Sequence, residues 1–207
     1  MKKGLFITFE GMDGAGKTTQ IRLLKAHLEA KGHFVLLTRE PGGTPISDQI
    51  RALILDVNNT GMDPMAELLL YYASRAQHIQ EVILPALKKG VTVICDRFYD
   101  SSYAYQQSGR AISRAVLDQL NEMVVQDCRP DITFLLDLPE DESKNRLNSR
   151  ATEPDRLELE NAAFRKRVRQ GFLAQAASEP DRIQVVDASG SVEEIFAHIA
   201  RALEQKL

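Results

Sequence analysis

The sequence predicts an α/β fold in which a five-stranded parallel sheet carries helices on both faces. Three observations point to it. Five apolar runs, Leu5 to Phe9, Phe34 to Leu37, Val91 to Cys95, Ile132 to Leu136 and Ile183 to Val186, are continuous rather than alternating, as strands covered on both faces are. Helical stretches separate the runs, so right-handed crossovers between parallel strands are the economical connection. A glycine-rich turn follows the first run, and Ile21, Leu23, Leu24 and Leu28 then recur at helical spacing. Ligands of such a sheet gather at the carboxyl ends of its strands.

At 207 residues the chain is expected to be one domain, 1–207. Hydrophobic residues at 43% and charged residues at 27% are ordinary for a globular protein. The net charge of −3 supplies no global basic field, which argues against nucleic acid or an anionic membrane as partner. A phosphate-bearing ligand must then be held by local donors. Cys95 and Cys128 have no metal-ligand or redox spacing and read as reduced thiols of a cytoplasmic protein. Lys2 and Lys3 precede only about five apolar residues, too few for a signal peptide or a membrane span.

Taken in order, Gly32 closes the first helix as a C′ glycine. The longest helix is expected from Asp63 as N-cap, with Pro64 at N1, to near Gly90. Leu68, Tyr72, Ala76, Ile79 and Ile83 form its buried stripe, and Pro85 should kink its last turn. Tyr71, Arg75 and His78 share an adjoining face. Ser191 to Glu194 reads as a capping box opening the last helix, with Ile195, Ile199 and Leu203 inward. Two segments resist a packing explanation: Asp137 to Asp155, polar with a basic centre, and the rigid glycine-rich turn Arg39 to Thr44.

The turn after the first run carries the chemistry. Gly11, Met12, Asp13, Gly14, Ala15, Gly16, Lys17 and Thr18 spell G-x-x-x-x-G-K-T, followed by Thr19. Glycines let backbone N–H groups close around a phosphate, and the new helix adds positive potential at its N-terminus. With a strand before it and a helix after it, the motif is a P-loop, expected to hold a triphosphate through residues 11–19. Lys17 reaches the outer phosphates and the Thr18 hydroxyl can hold Mg²⁺. Asp96, closing the third run, is placed to hold Mg²⁺ directly or through water. Arg97 beside it can clamp phosphate with its planar fork.

Four segments together resemble the thymidylate kinase family: F-E-G-M-D-G-A-G-K-T-T at 9–19, T-R-E-P-G-G-T at 38–44, D-R-F-Y-D-S-S-Y-A-Y-Q at 96–106, and a basic stretch near 146–156. The glycine loop alone says only P-loop NTPase. The second and third motifs make the resemblance specific, and it spans the chain in family order. It implies a nucleoside monophosphate kinase-like fold that phosphorylates dTMP with ATP and Mg²⁺, a mobile lid at about 141–157, and a homodimer. Asp13 would meet the acceptor sugar 3′-hydroxyl. Arg39, Arg51 and Arg97 would surround the acceptor phosphate. Tyr71 would stack on thymine, Arg75 would bond a pyrimidine carbonyl, Ser102 and Gln106 would meet the base edge, and Tyr105 would crowd a ribose 2′-hydroxyl. Where eukaryotic-type members carry an arginine in the glycine loop, this chain has Gly14. The catalytic cation would then come from the lid, with Arg150 and Arg156 ranked above Arg146, beside Lys17 and Arg97. The rivals are another nucleoside monophosphate kinase and a P-loop nucleotide switch; the chain has no N-K-x-D guanine motif.

Overall fold

A computed structural model describes residues 4–148 and 154–204. β1 (Phe6–Gly11) leads into α1 (Lys17–Ala30), β2 (Val35–Arg39), α2 (Pro45–Leu55) and α3 (Pro64–His78). α3 runs on through a π-helical segment, Ile79–Ile83, into α4 (Leu84–Lys88). β3 (Thr92–Asp96) is followed by α5 (Tyr99–Ser102), a second π-helical segment Tyr103–Gly109, and α6 (Arg114–Val124). β4 (Ile132–Asp137), α7 (Glu140–Asn148), α8 (Ala162–Ser178), β5 (Ile183–Asp187) and α9 (Val192–Glu204) complete the order.

All five expected strands form, and they pair in parallel in the order β2-β3-β1-β4-β5. Central β1 has β3 on one side and β4 on the other, so strand order reverses at its carboxyl end. That is where an open α/β sheet leaves a crevice. Register brings Phe9 opposite Asp96 and Gly11 opposite Leu136, which sets three strand ends beside one another there.

Alternation along β1 sends neighbours to opposite faces. Ile7 and Phe9 pack with Leu24 and Leu28 of α1 and Ile199 of α9. Phe6 packs on the other face with Leu68 and Tyr72 of α3 and Leu117 of α6. Each such side chain, fully buried, contributes roughly 1.5–3 kcal/mol. The edge strands are less covered than the sequence implies. Phe34 is 79% exposed, and Val185 faces outward from β5. A run without polar residues does not distinguish an edge strand, which has one open side, from a central one.

Helix signals mostly hold. Asp63 Oδ1 accepts the N–H groups of Met65 and Ala66, with Pro64 at N1. Ser191 and Glu194 cap each other reciprocally. Gly32 takes φ +87°. The long helix differs from expectation in its interruption. Pro85 has no N–H to return to Glu81, and the ladder before it widens to π winding over Ile79–Ile83.

Candidate active site

Two adjoining cavities open at the β1 crevice. The first, of about 560 Å³, is lined by Tyr71, Arg75, Phe98, Ser102, Tyr105, Gln106 and Leu157, with Asp13, Arg51 and Arg97 at its mouth. The second, of about 800 Å³, is lined by Gly14, Gly16, Lys17, Thr18, Thr19, Arg39 and Asp96. Asp13, Glu40, Arg51, Arg97 and Asp155 border both. The first mixes aromatic rings with hydrogen-bonding side chains, and the second is polar and carries charges of both signs.

The glycine loop builds the second cavity. Gly16 sits at φ +89° and admits the sharp entry into α1, whose first turn carries Thr18 and Thr19 exposed. Gly11, Met12 and Ala15 are buried beneath. Lys17 is 7% exposed and curls over the loop, its Nζ donating to the carbonyls of Gly11 and Met12 at 3.1 Å each. Burial, then the nearby Arg97 guanidinium, pull its pKa below the usual lysine value. Asp13 Oδ1 lies 3.8 Å from this ammonium, and an arriving phosphate would add further negative charge beside it. Gly14, at φ +85°, lies under α7: a Cβ there would stand 2.8 Å from the Ser143 carbonyl oxygen. Ser143 Oγ also donates to the Asp13 carbonyl at 2.6 Å. A bulkier residue at position 14 would therefore displace α7.

Arg97 joins the two cavities. Its φ of +68° turns the side chain back from the end of β3 across the loop. Its Nη2 lies 2.6 Å from Asp13 Oδ1 and 3.3 Å from the Tyr105 hydroxyl, and its Nη1 donates to the Gly11 carbonyl. Arg39 reaches Asp48 at 2.9 Å and Arg51 donates to the Pro41 carbonyl. Burial and then Arg39 lower the Arg51 pKa, the mark of crowded positive charge. Asp96 Oδ1 is buried with no hydrogen-bond partner among the described residues. A carboxylate oxygen left so beside Thr18 fits a cation carried in with a polyphosphate.

The first cavity is held by buried carboxylates. Arg75 is 1% exposed: its Nε donates to Glu40 at 2.7 Å, Nη1 to Ser102 Oγ at 3.2 Å and Nη2 to the Phe98 carbonyl at 3.3 Å. Glu40 also meets His78 Nδ1 at 3.1 Å. Gly43 is required where His78 passes, since a Cβ would come within 2.7 Å of its Nε2. The two adjacent tyrosines part company as helical phase predicts. Tyr71 lines the cavity, whereas Tyr72 is 2% exposed and donates to Asn121.

A family model described as thymidylate kinase matches residues 9–199. A thymidylate kinase of Trichlorobacter lovleyi is 50% identical over 98% of this chain and 98% of that protein. One from Citrifermentans bemidjiense is 48% identical over 99% of this chain and 93% of that protein. The crystal structure of thymidylate kinase from Ehrlichia chaffeensis superposes with a TM-score of 0.79 at 36% identity, covering 97% and 99% of the two chains.

The chain belongs to the thymidylate kinase family.

Within that frame the expected acceptor residues Asp13, Arg51, Tyr71, Arg75, Arg97, Ser102, Tyr105 and Gln106 converge on the first cavity, and Arg39 on the second. Arg156 does not behave as a lid cation in this conformation. It is 8% exposed, with Nη2 on Glu67 at 2.6 Å and Nε on the Ile54 carbonyl at 2.8 Å. Its sequence neighbours Asp155 and Leu157 face the cavity and it faces away. Arg146 donates to the Ala188 carbonyl. Arg150 lies outside the described residues. Three acids were missed: Glu10, Glu40 and Glu67. Each is at most 4% exposed and tied to site residues from a distant position in the chain. Glu10 and Glu40 lie inside quoted motifs, while Glu67 lies in none.

Proposed function

We propose that the chain transfers the γ-phosphoryl group of ATP to dTMP, giving dTDP and ADP. The observation that carries this reading is the joint between the cavities: Arg97 and Asp13 stand where a phosphate cradle opens directly onto an aromatic, hydrogen-bonding slot. A triphosphate on the loop and a monophosphate among Arg39, Arg51 and Arg97 would meet there.

The acceptor is a phosphate oxygen already ionised at neutral pH, so no general base is needed. Catalysis then rests on alignment and on neutralising crowded charge. Lys17 neutralises the outer phosphates of ATP. Thr18 and Asp96 would hold Mg²⁺ carried in with ATP, which would supply further charge neutralisation at the phosphates. The three arginines offset repulsion between donor and acceptor. Tyr71 supplies a flat face to the base, and Arg75 and Gln106 supply in-plane polar groups. Tyr105, against Asp13, crowds the sugar edge. Arg150 is the remaining lid candidate for the transition-state cation, the segment at about 141–157 closing over the loop.

Turnover with ATP across a panel of nucleoside monophosphates tests the reading, with dTMP expected as the preferred acceptor. A thymine methyl is worth about 1–3 kcal/mol in an apolar pocket, so dUMP should be poor rather than inert. Preference for AMP, GMP or CMP would overturn it. A homodimer is part of the proposal: α2 and α3 pack together and leave Ile46, Leu53, Met65 and Leu69 exposed. Light scattering of Leu69→Asp should report monomer where the parent reports dimer.

A further inference from the structure

Gln106 is 1% exposed, and its Nε2 donates to Glu67 Oε1 at 2.9 Å. An ionised carboxylate only accepts, so the amide must present its NH₂ to Glu67 and its oxygen elsewhere. Three cationic or amide donors keep Glu67 ionised: Arg110 Nη2 at 3.1 Å, Arg156 Nη2 at 2.6 Å, and Gln106 itself. Burial opposes ionisation there, yet these hydrogen bonds outweigh it and hold Glu67 below the usual carboxylate range. Gln106 Oε1 accepts from none of the described residues and is not among the sealed polar atoms, so on a residue that lines the cavity it opens into the cavity. Arg75 presents N–H donors to the same space.

We propose that Glu67, set by Arg110 and Arg156, is the positioning residue that locks the Gln106 amide with its oxygen toward the acceptor base, and so selects 4-oxo pyrimidines that carry an N3–H. This rests on the acceptor-pocket reading above and deepens it. Thymine and uracil offer N3–H to Gln106 Oε1 and O4 to Arg75. Cytosine offers an N3 lone pair to an oxygen and an N4 amine to a guanidinium, two like-with-like contacts in a dry site. Glu67 does not line the cavity, and of the groups assigned to the base edge it hydrogen-bonds Gln106.

The test is kcat/KM for dTMP, dUMP and dCMP in four proteins: the parent, Glu67→Gln, Gln106→Leu and the double variant. A glutamine at 67 keeps the shape but lets the two amides flip together, freeing Gln106 Nε2 to donate to the base. Glu67→Gln is expected to lower the dTMP:dCMP ratio about 10- to 100-fold, while the dTMP:dUMP ratio stays within about twofold, since both bases carry N3–H. In the Gln106→Leu background the same change should alter neither ratio further. An unchanged dTMP:dCMP ratio overturns the proposal, and so does a parallel fall of both ratios, the pattern of general loosening. If Gln106→Leu alone leaves dTMP turnover intact, the pocket reading itself fails. A readout without substitution at 67 is the Gln106 side-chain amide in NMR, assigned by its loss in Gln106→Leu. Its protons should be protected from solvent exchange with and without dTMP, and rapid exchange in the free protein overturns the lock.

Discussion

The phosphate cavity and the base cavity share a wall but are built by opposite means. The first rests on contiguous backbone, a glycine turn, a helix N-terminus and one lysine between residues 11 and 19, to which Arg39, Arg51, Asp96 and Arg97 add side chains from β2, α2 and the end of β3. The second is made from side chains that are themselves held by buried carboxylates far away in sequence, Glu40 under Arg75 and Glu67 under Gln106. Phosphate is a compact charge that any ring of N–H groups can bind, so a local motif suffices. A base edge is a pattern of donors and acceptors, and reading it demands fixed rotamers, which only a second layer of partners supplies.

The comparison predicts how each cavity fails. Lys17 acts on charge that builds during transfer, so Lys17→Ala should lower kcat by about 10³-fold or more, roughly 4 kcal/mol of barrier, with the far-ultraviolet circular dichroism unchanged. A folded variant with near-parental kcat would remove the phosphate cavity from the chemistry. On the other side, Glu40→Gln leaves Arg75 without its buried counter-charge. Its guanidinium should then wander from the base, and kcat/KM for dTMP should fall about 10- to 50-fold, mostly through KM. A loss confined to kcat would mean that the two cavities do not divide the work as their construction implies.

The same contrast decides what was legible in the sequence. The strands, the loop and the assignment of Tyr71 to the site and Tyr72 to the core follow from local pattern and helical phase, and the structure shows the same placements. Arg156 reads as a lid cation from its place in a polar, basic stretch, and nothing nearby in sequence announces Glu67, which meets it from α3 across 89 residues. The exposed Phe34 has a similar origin: sheet order, not composition, makes β2 an edge. Spacing along the chain encodes motifs that one segment completes, while a buried ion pair across segments is set by topology.

Glu10 bears on stability rather than turnover, at the seam between the cavities. It stands on β1, 1% exposed, just before the glycine loop, and ties that loop to the turn after β3. Oε1 accepts from the Phe98 and Ser101 N–H groups, and Oε2 lies 2.5 Å from Ser101 Oγ. Burial, reinforced by the Asp100 carboxylate, pushes its pKa up to about 7 from 4.5. The native state then keeps a proton that the unfolded chain releases, and folding takes up a proton across that window. Stability from this group is fully present below about pH 4.5 and declines as pH rises through about 7. Glu10→Gln cannot titrate, and it preserves the geometry, because its oxygen can accept both N–H groups while its NH₂ donates to Ser101 Oγ. Urea unfolding of parent and variant from pH 4.5 to 8 should therefore show the parent losing about 1–3 kcal/mol relative to the variant by pH 7 to 8. A difference that stays flat over this range would mean Glu10 remains ionised throughout, and the seam would then be a fixed ionic strut rather than a protonated one.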